Sequence, residues 1–304
     1  MLNRHDPGFA GRYPARVSVA IVTDSTAYLP AELVASHGIW VVPLHVVLGG
    51  QQFCEGVDVT TAEVAAALRK FTSVSTSRPS PQAFLDAYEA AAASGANAVV
   101  SVHISSEMSG TVESAALAAS QSPIPVEVVD SRSMGMAMGY AVLSAAGAAH
   151  RGLDAKTVAA IASSRAKAAT VIFYVDTLEH LRRGGRIGAA SALLGSALAI
   201  KPLLALSDGH IKPIEKVRTS ARALSRLEEL ALQAVDAAGD CGVDIAVHHL
   251  DSQTRASDLV DRLRAGVRSA TTVALVELGA VLGAHVGPGT IAVAVSPRPP
   301  GGKD

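Results

Sequence analysis

Hydroxyl side chains recur in this chain where apolar runs stop. Val99-Val100-Ser101-Val102-His103-Ile104 is followed at once by Ser105-Ser106-Glu107-Met108-Ser109-Gly110-Thr111, and then by an Ala-rich stretch from Val112 to Ala119. A buried strand that breaks into hydroxyls and a glycine before a helix leaves backbone N–H groups unpaired above the sheet. Those donors and the helix dipole favour a negatively charged ligand. The loop holds no lysine, which suits one small anion better than a polyphosphate. The same residues also read as an ordinary N-cap for their own helix. Two further apolar runs end in Thr23-Asp24-Ser25-Thr26 and Asp130-Ser131-Arg132-Ser133, and Ser75-Thr76-Ser77-Arg78-Pro79-Ser80-Pro81 reads as a rigid polar loop within reach of the same rim. Their convergence on one anion site is the expectation. Far downstream, Gly283-Ala284-His285-Val286-Gly287-Pro288-Gly289 sets one imidazole among glycines that let backbone approach a ligand closely.

Other chemistries fit less well. His248-His249-x-Asp251 has the residue types of a metal site, but neighbouring side chains of a strand face opposite ways. Ser164-Arg165-Ala166-Lys167 matches Ser-x-x-Lys, yet it reads as a charged helix end without a Lys-Thr-Gly partner. Neither a Gly-x-Ser-x-Gly elbow nor a Walker loop occurs, which argues against a hydrolase and against self-contained ATP binding. His45 and His103 fall within strands and read as structural, and Cys54 and Cys241 lack activating neighbours.

The elements that position these residues alternate. Val17–Val22 reads as a strand, Ala31–His37 as a helix, and Ile39–Leu48 as a second strand. Thr60 and Glu63 form a capping box for a helix to Lys70, and Gln82–Ala93 is another helix. After the strand at 99–104 come Val126–Val129 and an uncharged helix from Ser133 to His150. Such alternation predicts a parallel sheet whose ligands bind beyond the carboxyl ends of the strands. From about Ala168 the pattern changes. Thr170–Val175 reads as a strand, Asp176–Leu181 as a helical turn ending in Arg182-Arg183-Gly184-Gly185-Arg186, and Ile187–Ala199 as a small-residue apolar segment. Lys201–Leu206 and His210–Val217 flank Ser207-Asp208-Gly209 as a hairpin, and Glu215–Thr219 opens a helix to Ala237. Strands Val243–His248, Val273–Leu278 and Thr290–Val295, with a helix Ser252–Val267, complete the pattern.

The predicted fold is therefore α/β, with a flexible arm 1–16, a Rossmann-like parallel-sheet domain 17–167, an α+β domain 168–297 and a flexible tail 298–304. The balance of 26 Lys+Arg against 27 Asp+Glu gives a net charge of -1 and no basic field for nucleic acid. Two cysteines fit a reducing cytoplasm. Residues 1–16 carry Arg4, Asp6, Arg12 and Arg16, unlike a signal peptide, and Ser133–His150 is short for a membrane span.

Several stretches together resemble the DegV family, in the family's order. They are Val22–Ala27, Thr76–Ser80, Ile104–Thr111, Val129–Ser131, Leu181–Ile187, Lys201–Leu204, Glu215–Thr219 and His285–Gly289. The resemblance covers about residues 17–297, with Tyr28 where an acidic residue is common and Gly135 where serine is common. It implies a DegV-like fold and a long-chain fatty acid buried in an apolar pocket. Like the FakB proteins, such a chain would be a substrate-binding subunit without activity of its own. It would present the carboxylate to a separate ATP-dependent kinase that forms an acyl phosphate. By resemblance Thr76, Ser109 and Gly110 contact the carboxylate, His285 lies close to it, and Ser77, Ser105 and Ser106 are nearby. Arg186 and Arg218 match arginines that assist transfer or docking. No metal and no cofactor beyond the bound acid are implied.

The chemistry of the residues agrees with these roles. Hydroxyls and an N–H hold a carboxylate without a buried cation, which leaves it nucleophilic. Ser133–His150 and Ala189–Leu198 read as tunnel walls or as ordinary core. Arg182 and Arg183 read equally as plain charges at a helix end. The partners expected are the acid, the kinase and, for lipid exchange, the membrane surface. A lipid-binding sensor or carrier without a kinase is the alternative.

Overall fold

A computed structural model describes residues 18–70, 72–193, 200–267 and 272–299. The first half runs β1 (Val19–Asp24), α1 (Ala31–His37), β2 (Trp40–Val42), β3 (His45–Leu48), β4 (Gln51–Cys54), α2 (Thr61–Arg69) and β5 (Val74–Ser77). It continues with α3 (Pro81–Ala93), β6 (Ala98–His103), α4 (Thr111–Ala119), β7 (Val126–Asp130), α5 (Met136–His150) and α6 (Ala155–Ala168). Strands β2, β1, β6 and β7 form a parallel sheet in that order, as the alternation predicts. The β6 strand is buried at every position, the mark of a central parallel strand covered on both faces.

Two expectations need correction here. The strand predicted over Ile39–Leu48 is two strands, divided at Pro43, whose nitrogen has no hydrogen to give a ladder. The second of them, β3, belongs to a small antiparallel sheet of order β4-β3-β5. The polar loop expected at Ser75–Pro81 is β5 as far as Ser77, paired Val46 to Thr76 and His45 to Ser77. Its hydroxyl-rich sequence carries little hydrophobic periodicity, which is why it reads as loop. The capping box of α2 is present, with Thr60 N–H donating to Glu63 at 2.8 Å and Glu63 N–H to Thr60 Oγ1 at 3.2 Å.

The second half runs β8 (Thr170–Tyr174), α7 (Glu179–Arg183), β9 (Lys201–Ser207), β10 (His210–Val217), α8 (Ser220–Ala237) and β11 (Val243–His249). It ends with α9 (Gln253–Gly266), β12 (Thr272–Glu277), α10 (Ala280–Val286) and β13 (Ile291–Pro297). The six strands order as β10-β9-β8-β13-β11-β12, antiparallel except for the β11–β12 pair. The hairpin turn has positive φ at Asp208 (51°) and Gly209 (82°), the backbone that suits a two-residue hairpin. Glu215–Val217 belong to β10, and the helix opens only after Thr219, whose Oγ1 accepts from Arg222 N–H at 3.2 Å. The glycine-rich stretch around His285 is largely the short helix α10 rather than a loop.

The α5 helix, apolar on nearly every side, packs on β1 and β6 with one face and on β11 and β13 with another. One core cluster accordingly joins Val100, Val102 and Met138 to Phe173, Leu204 and Leu250. Helices α3 and α4 cover the far face of the parallel sheet, and α8 and α9 that of the mixed sheet. The charged helix end expected at Arg165 is buried: its guanidinium donates to Asp244, to Ser144 Oγ (2.6 Å) and to Ser296 Oγ (3.1 Å). Arg298, at the start of the expected flexible tail, is tied to Asp244 by bonds of 2.9 and 2.6 Å. The arm 1–16, tail residues 300–304 and positions 194–199 of the expected apolar segment lie outside the described residues. Among the described residues no helix is long and apolar enough to cross a membrane.

Candidate functional site

Thr76, Ser77, Ser109, Gly110, Arg186 and His285, which lie far apart in sequence, line one cavity of about 160 Å³. Thr76 comes from an edge strand, Ser109 and Gly110 from the turn before α4, Arg186 from the turn after α7, and His285 from the last turn of α10. Apolar walls are supplied by Leu44, Ile104, Met108, Met134, Leu282 and Val286. Met134, Leu282 and Val286 also border a second, nearly wholly apolar chamber of about 30 Å³ that reaches Phe173, His248 and Thr290. The polar end and the apolar end therefore share a wall.

His285 Nε2 and Thr76 Oγ1 are 2.8 Å apart. Burial, reinforced by the nearby Arg186 charge, lowers the imidazole pKa to about 4, so the ring is neutral at pH 7. Its Nδ1 is enclosed without a partner. An orphaned lone pair costs less than an orphaned N–H, so the ring proton belongs on Nε2, donating to Thr76. Thr76 is then free to turn its own hydroxyl hydrogen toward an anion in the cavity. The turn after β6 is clamped from outside by arginines: Arg186 Nε donates to Met108 O (2.9 Å) and Arg78 Nη1 to Gly110 O (3.2 Å). Ser109 Oγ lies 2.8 Å from Thr111 Oγ1.

The run Leu181–Arg186 has a backbone explanation for both glycines. Gly185 (φ 71°) ends α7, with Gly185 N–H bonding Arg182 O and Arg186 N–H bonding Leu181 O, as in a Schellman cap. Gly184 faces His285, where a Cβ would overlap the ring. Arg182 and Arg183 both pair with the exposed Glu179, which is the plain reading of those charges.

α10 is held at its other end by residues absent from the expected set. Glu55 Oε1 accepts from Val281 N–H (2.7 Å) and Tyr28 OH accepts from Leu282 N–H (3.2 Å), while Ser25 Oγ donates to Glu55 (2.5 Å). Burial raises the Glu55 carboxyl and takes Tyr28 well above its ordinary value. Arg78 lies inside the Thr76–Ser80 stretch and Met134 follows Ser133, but spacing alone gives neither of them a role. Glu55 had no sequence signal.

The expected convergence is only partial. Ser105 Oγ donates to Gly209 O of the hairpin (3.1 Å) and Ser106 Oγ to Asp130 (2.6 Å), so both brace the turn and neither lines the cavity. Thr26 bonds Asp24, and Ser131 Oγ donates to Ser133 O (3.2 Å). Ser25 lines a different, larger cleft of about 780 Å³, whose Asp24, Glu55, Asp58 and Glu63 disfavour an anion. Arg218 is exposed between β10 and α8 and does not line the cavity. The expectation of donors without a buried cation also fails, because half-buried Arg186 borders the cavity with no carboxylate partner among the described residues.

Asp24, His103 and Ser101 form a Ser–His–Asp chain, with His103 Nδ1 3.1 Å from Asp24 and Nε2 2.6 Å from Ser101 Oγ. Its members have no exposed surface, and Tyr88 OH closes it by donating to Ser101, so it is a core network. His248 and His249 face opposite sides of β11, and no metal-binding cluster occurs among the described residues.

Residues 18–298 match the profile of the DegV family, a family described as uncharacterised. The chain belongs to the DegV family. A DegV domain-containing protein of Streptomyces coelicolor is 52% identical over 280 residues, 92% of this chain and 99% of that one. Among solved structures, a DegV family protein of Thermus thermophilus described as binding fatty acid superposes with TM-score 0.85 at 32% identity, covering 92% of this chain and 99% of its own. DegV of Bacillus subtilis, described as a fatty acid binding protein, gives TM-score 0.85 at 31% identity, covering 93% and 100%. The DegV fold predicted from the ordered motifs is the fold observed.

Proposed function

We propose that this protein binds a long-chain fatty acid and presents its carboxylate to a separate ATP-dependent kinase for acyl phosphate formation. The observation that carries the acid-binding reading is the cavity itself. Thr76, Ser109, Gly110 and Arg186 gather at a polar end that shares Met134, Leu282 and Val286 with an apolar chamber. Solved family members above 30% identity that are described as binding fatty acid support the same reading. Burying the chain contributes roughly 0.8 kcal/mol per CH₂. The cavity of about 160 Å³ is smaller than a typical ligand pocket of ~300–1,000 Å³, so the chain enters by parting Met134 and Leu282, the wall between it and the second chamber. Met134 suits this, being unbranched and adaptable.

In the transfer step a carboxylate oxygen attacks the γ-phosphorus of ATP held by the kinase, and ADP leaves. This chain supplies no nucleophile, base or phosphate-cradling loop. Its Arg186 stabilises the carboxylate and then the charge that gathers on the phosphoryl oxygens. Arg218, facing solvent, suits contact with the kinase. Such a subunit works in the cytoplasm and exchanges its lipid at the membrane surface.

Native mass spectrometry of the purified protein, followed by extraction and identification of bound acid, tests the first half. A stoichiometric long-chain acid is expected. A protein that carries none and takes up none overturns the reading. With ATP alone the protein should form no acyl phosphate, and with a DegV-partner kinase it should. Formation without a kinase would overturn the division of labour.

A further inference from the structure

The second chamber is apolar except at His248 and Thr290, and these two place a polar spot deep in the path of an acyl chain. His248 is 4% exposed, on β11. Its Nε2 accepts the N–H of Met136, the first residue of α5, at 3.1 Å. A backbone N–H can only donate, so Nε2 carries no proton and the neutral ring holds its hydrogen on Nδ1. Burial, with His249 adding to it, lowers the His248 pKa to about 4, which keeps the ring neutral. The Nδ1–H has no partner among the described residues, yet it is not sealed off as the Nδ1 atoms of His45, His249 and His285 are. Gly135 (φ 61°) lets the ring lie over the start of α5, since a Cβ there would come within 3.1 Å of Nε2. Thr290 has committed its hydrogen to Val286 O (3.1 Å) and Gly287 O (2.8 Å), which leaves its oxygen as an acceptor.

A buried donor without a partner is costly, and the cap on Met136 accounts for Nε2 but leaves the Nδ1–H facing the chamber unmatched. We propose that His248 and Thr290 make the chamber selective for hydroxylated acyl chains, the chain hydroxyl accepting from His248 Nδ1–H and donating to Thr290 Oγ1. This rests on the fatty-acid reading above and narrows it to a substrate class. A plain chain leaves the donor unsatisfied, whereas a hydroxyl at the right carbon satisfies it. The discrimination favours the chain whose polar group the site was built to meet.

The test uses the full-length protein stripped of lipid. Stearic acid and a series of monohydroxystearic acids, with the hydroxyl at successive carbons, are titrated into the wild type and into His248→Phe. At least one isomer should bind the wild type about five- to tenfold more tightly than stearic acid, the gain of one buried hydrogen bond. That preference should vanish in His248→Phe, which should bind stearic acid at least as well as the wild type does. Because His248 also caps α5, the wild type labelled with ¹⁵N-histidine provides a second measurement. The favoured hydroxy acid should shift the Nδ1–H signal of His248, and stearic acid should leave it near its free position. No isomer exceeding stearic acid, a preference that survives His248→Phe, or equal signals with both acids would overturn the proposal while leaving fatty-acid binding intact. Failure of the wild type to bind stearic acid and every isomer would remove the underlying reading as well.

Discussion

Thr76 and Ser109 are neutral donors, so each should add modestly to acid affinity. Thr76→Val, which keeps the shape of the side chain, and Ser109→Ala should each weaken binding by about 0.5–1.5 kcal/mol in a calorimetric titration. Arg186→Ala should weaken it more, because it removes the half-buried cation beside the cavity. Arg218→Ala should leave acid binding unchanged and lower kinase-dependent acyl phosphate formation. An arginine pair that behaves alike in both assays would contradict the geometry. Buried histidines also set a pH dependence. His248 and His285 are held near 4 in the fold, against an ordinary value of 6.5. Between those values the unfolded chain binds more protons, so stability falls as pH drops from about 6.5 toward 4. For the nearly sealed His248 the full shift is worth roughly 3 kcal/mol. Glu55 acts in the opposite sense, since its raised carboxyl favours the protonated fold. Urea midpoints measured from pH 7 to 4.5 should decline, and His248→Phe should flatten the slope.

At the scale of elements, the parallel sheet and its helices were legible because β1, β6 and β7 are short apolar runs between amphipathic or Ala-rich helices. The capping box at Thr60 and the turn at Asp208-Gly209 were legible because each carries its own backbone chemistry. Helix α10 was hidden because its glycines weaken any helical signal, although Gly283 lies inside it. β5 was hidden by its hydroxyls. The end of α6 reads as solvated because it carries Arg165 and Lys167, whereas Arg165 is buried. Thr76, Ser109, Gly110, Arg186 and His285, which the family resemblance singles out, line one cavity, yet the wall formed by Met134 and Leu282 depends on packing that no spacing reveals. Arg165 gives a sharp test of element packing. Breaking a buried ion pair by removing one partner leaves the other charge uncompensated. Asp244→Asn takes away the carboxylate that faces buried Arg165 and should therefore cost about 3–5 kcal/mol in denaturant unfolding. Arg165→Met should cost less because Arg298 still holds Asp244, and a loss under about 1 kcal/mol for Asp244→Asn would contradict this. Gly184→Ala should fold but lose acid affinity, because the methyl displaces the His285 ring.

Over the whole molecule, the two large sheets share α5 and one hydrophobic cluster, so neither has a core of its own on that side. Unfolding should be a single transition. Trp40, on β2, reports on the parallel sheet, while circular dichroism reports on all elements. Coincident midpoints are expected, and separate ones would show that the halves unfold independently. The order of the mixed sheet bears on how the chain is made. Translation delivers β13 after every other described strand, yet its place is between β8 and β11. Until Ile291–Pro297 has left the ribosome, β8 and β11 each keep an open ladder edge, the kind of edge that recruits foreign strands. Thr76 likewise waits for an imidazole 209 residues downstream. A nascent chain stopped short of β13 thus has sticky edges and an unfinished cavity, so on the proposed function capture of a fatty acid would report that β13 had already been made.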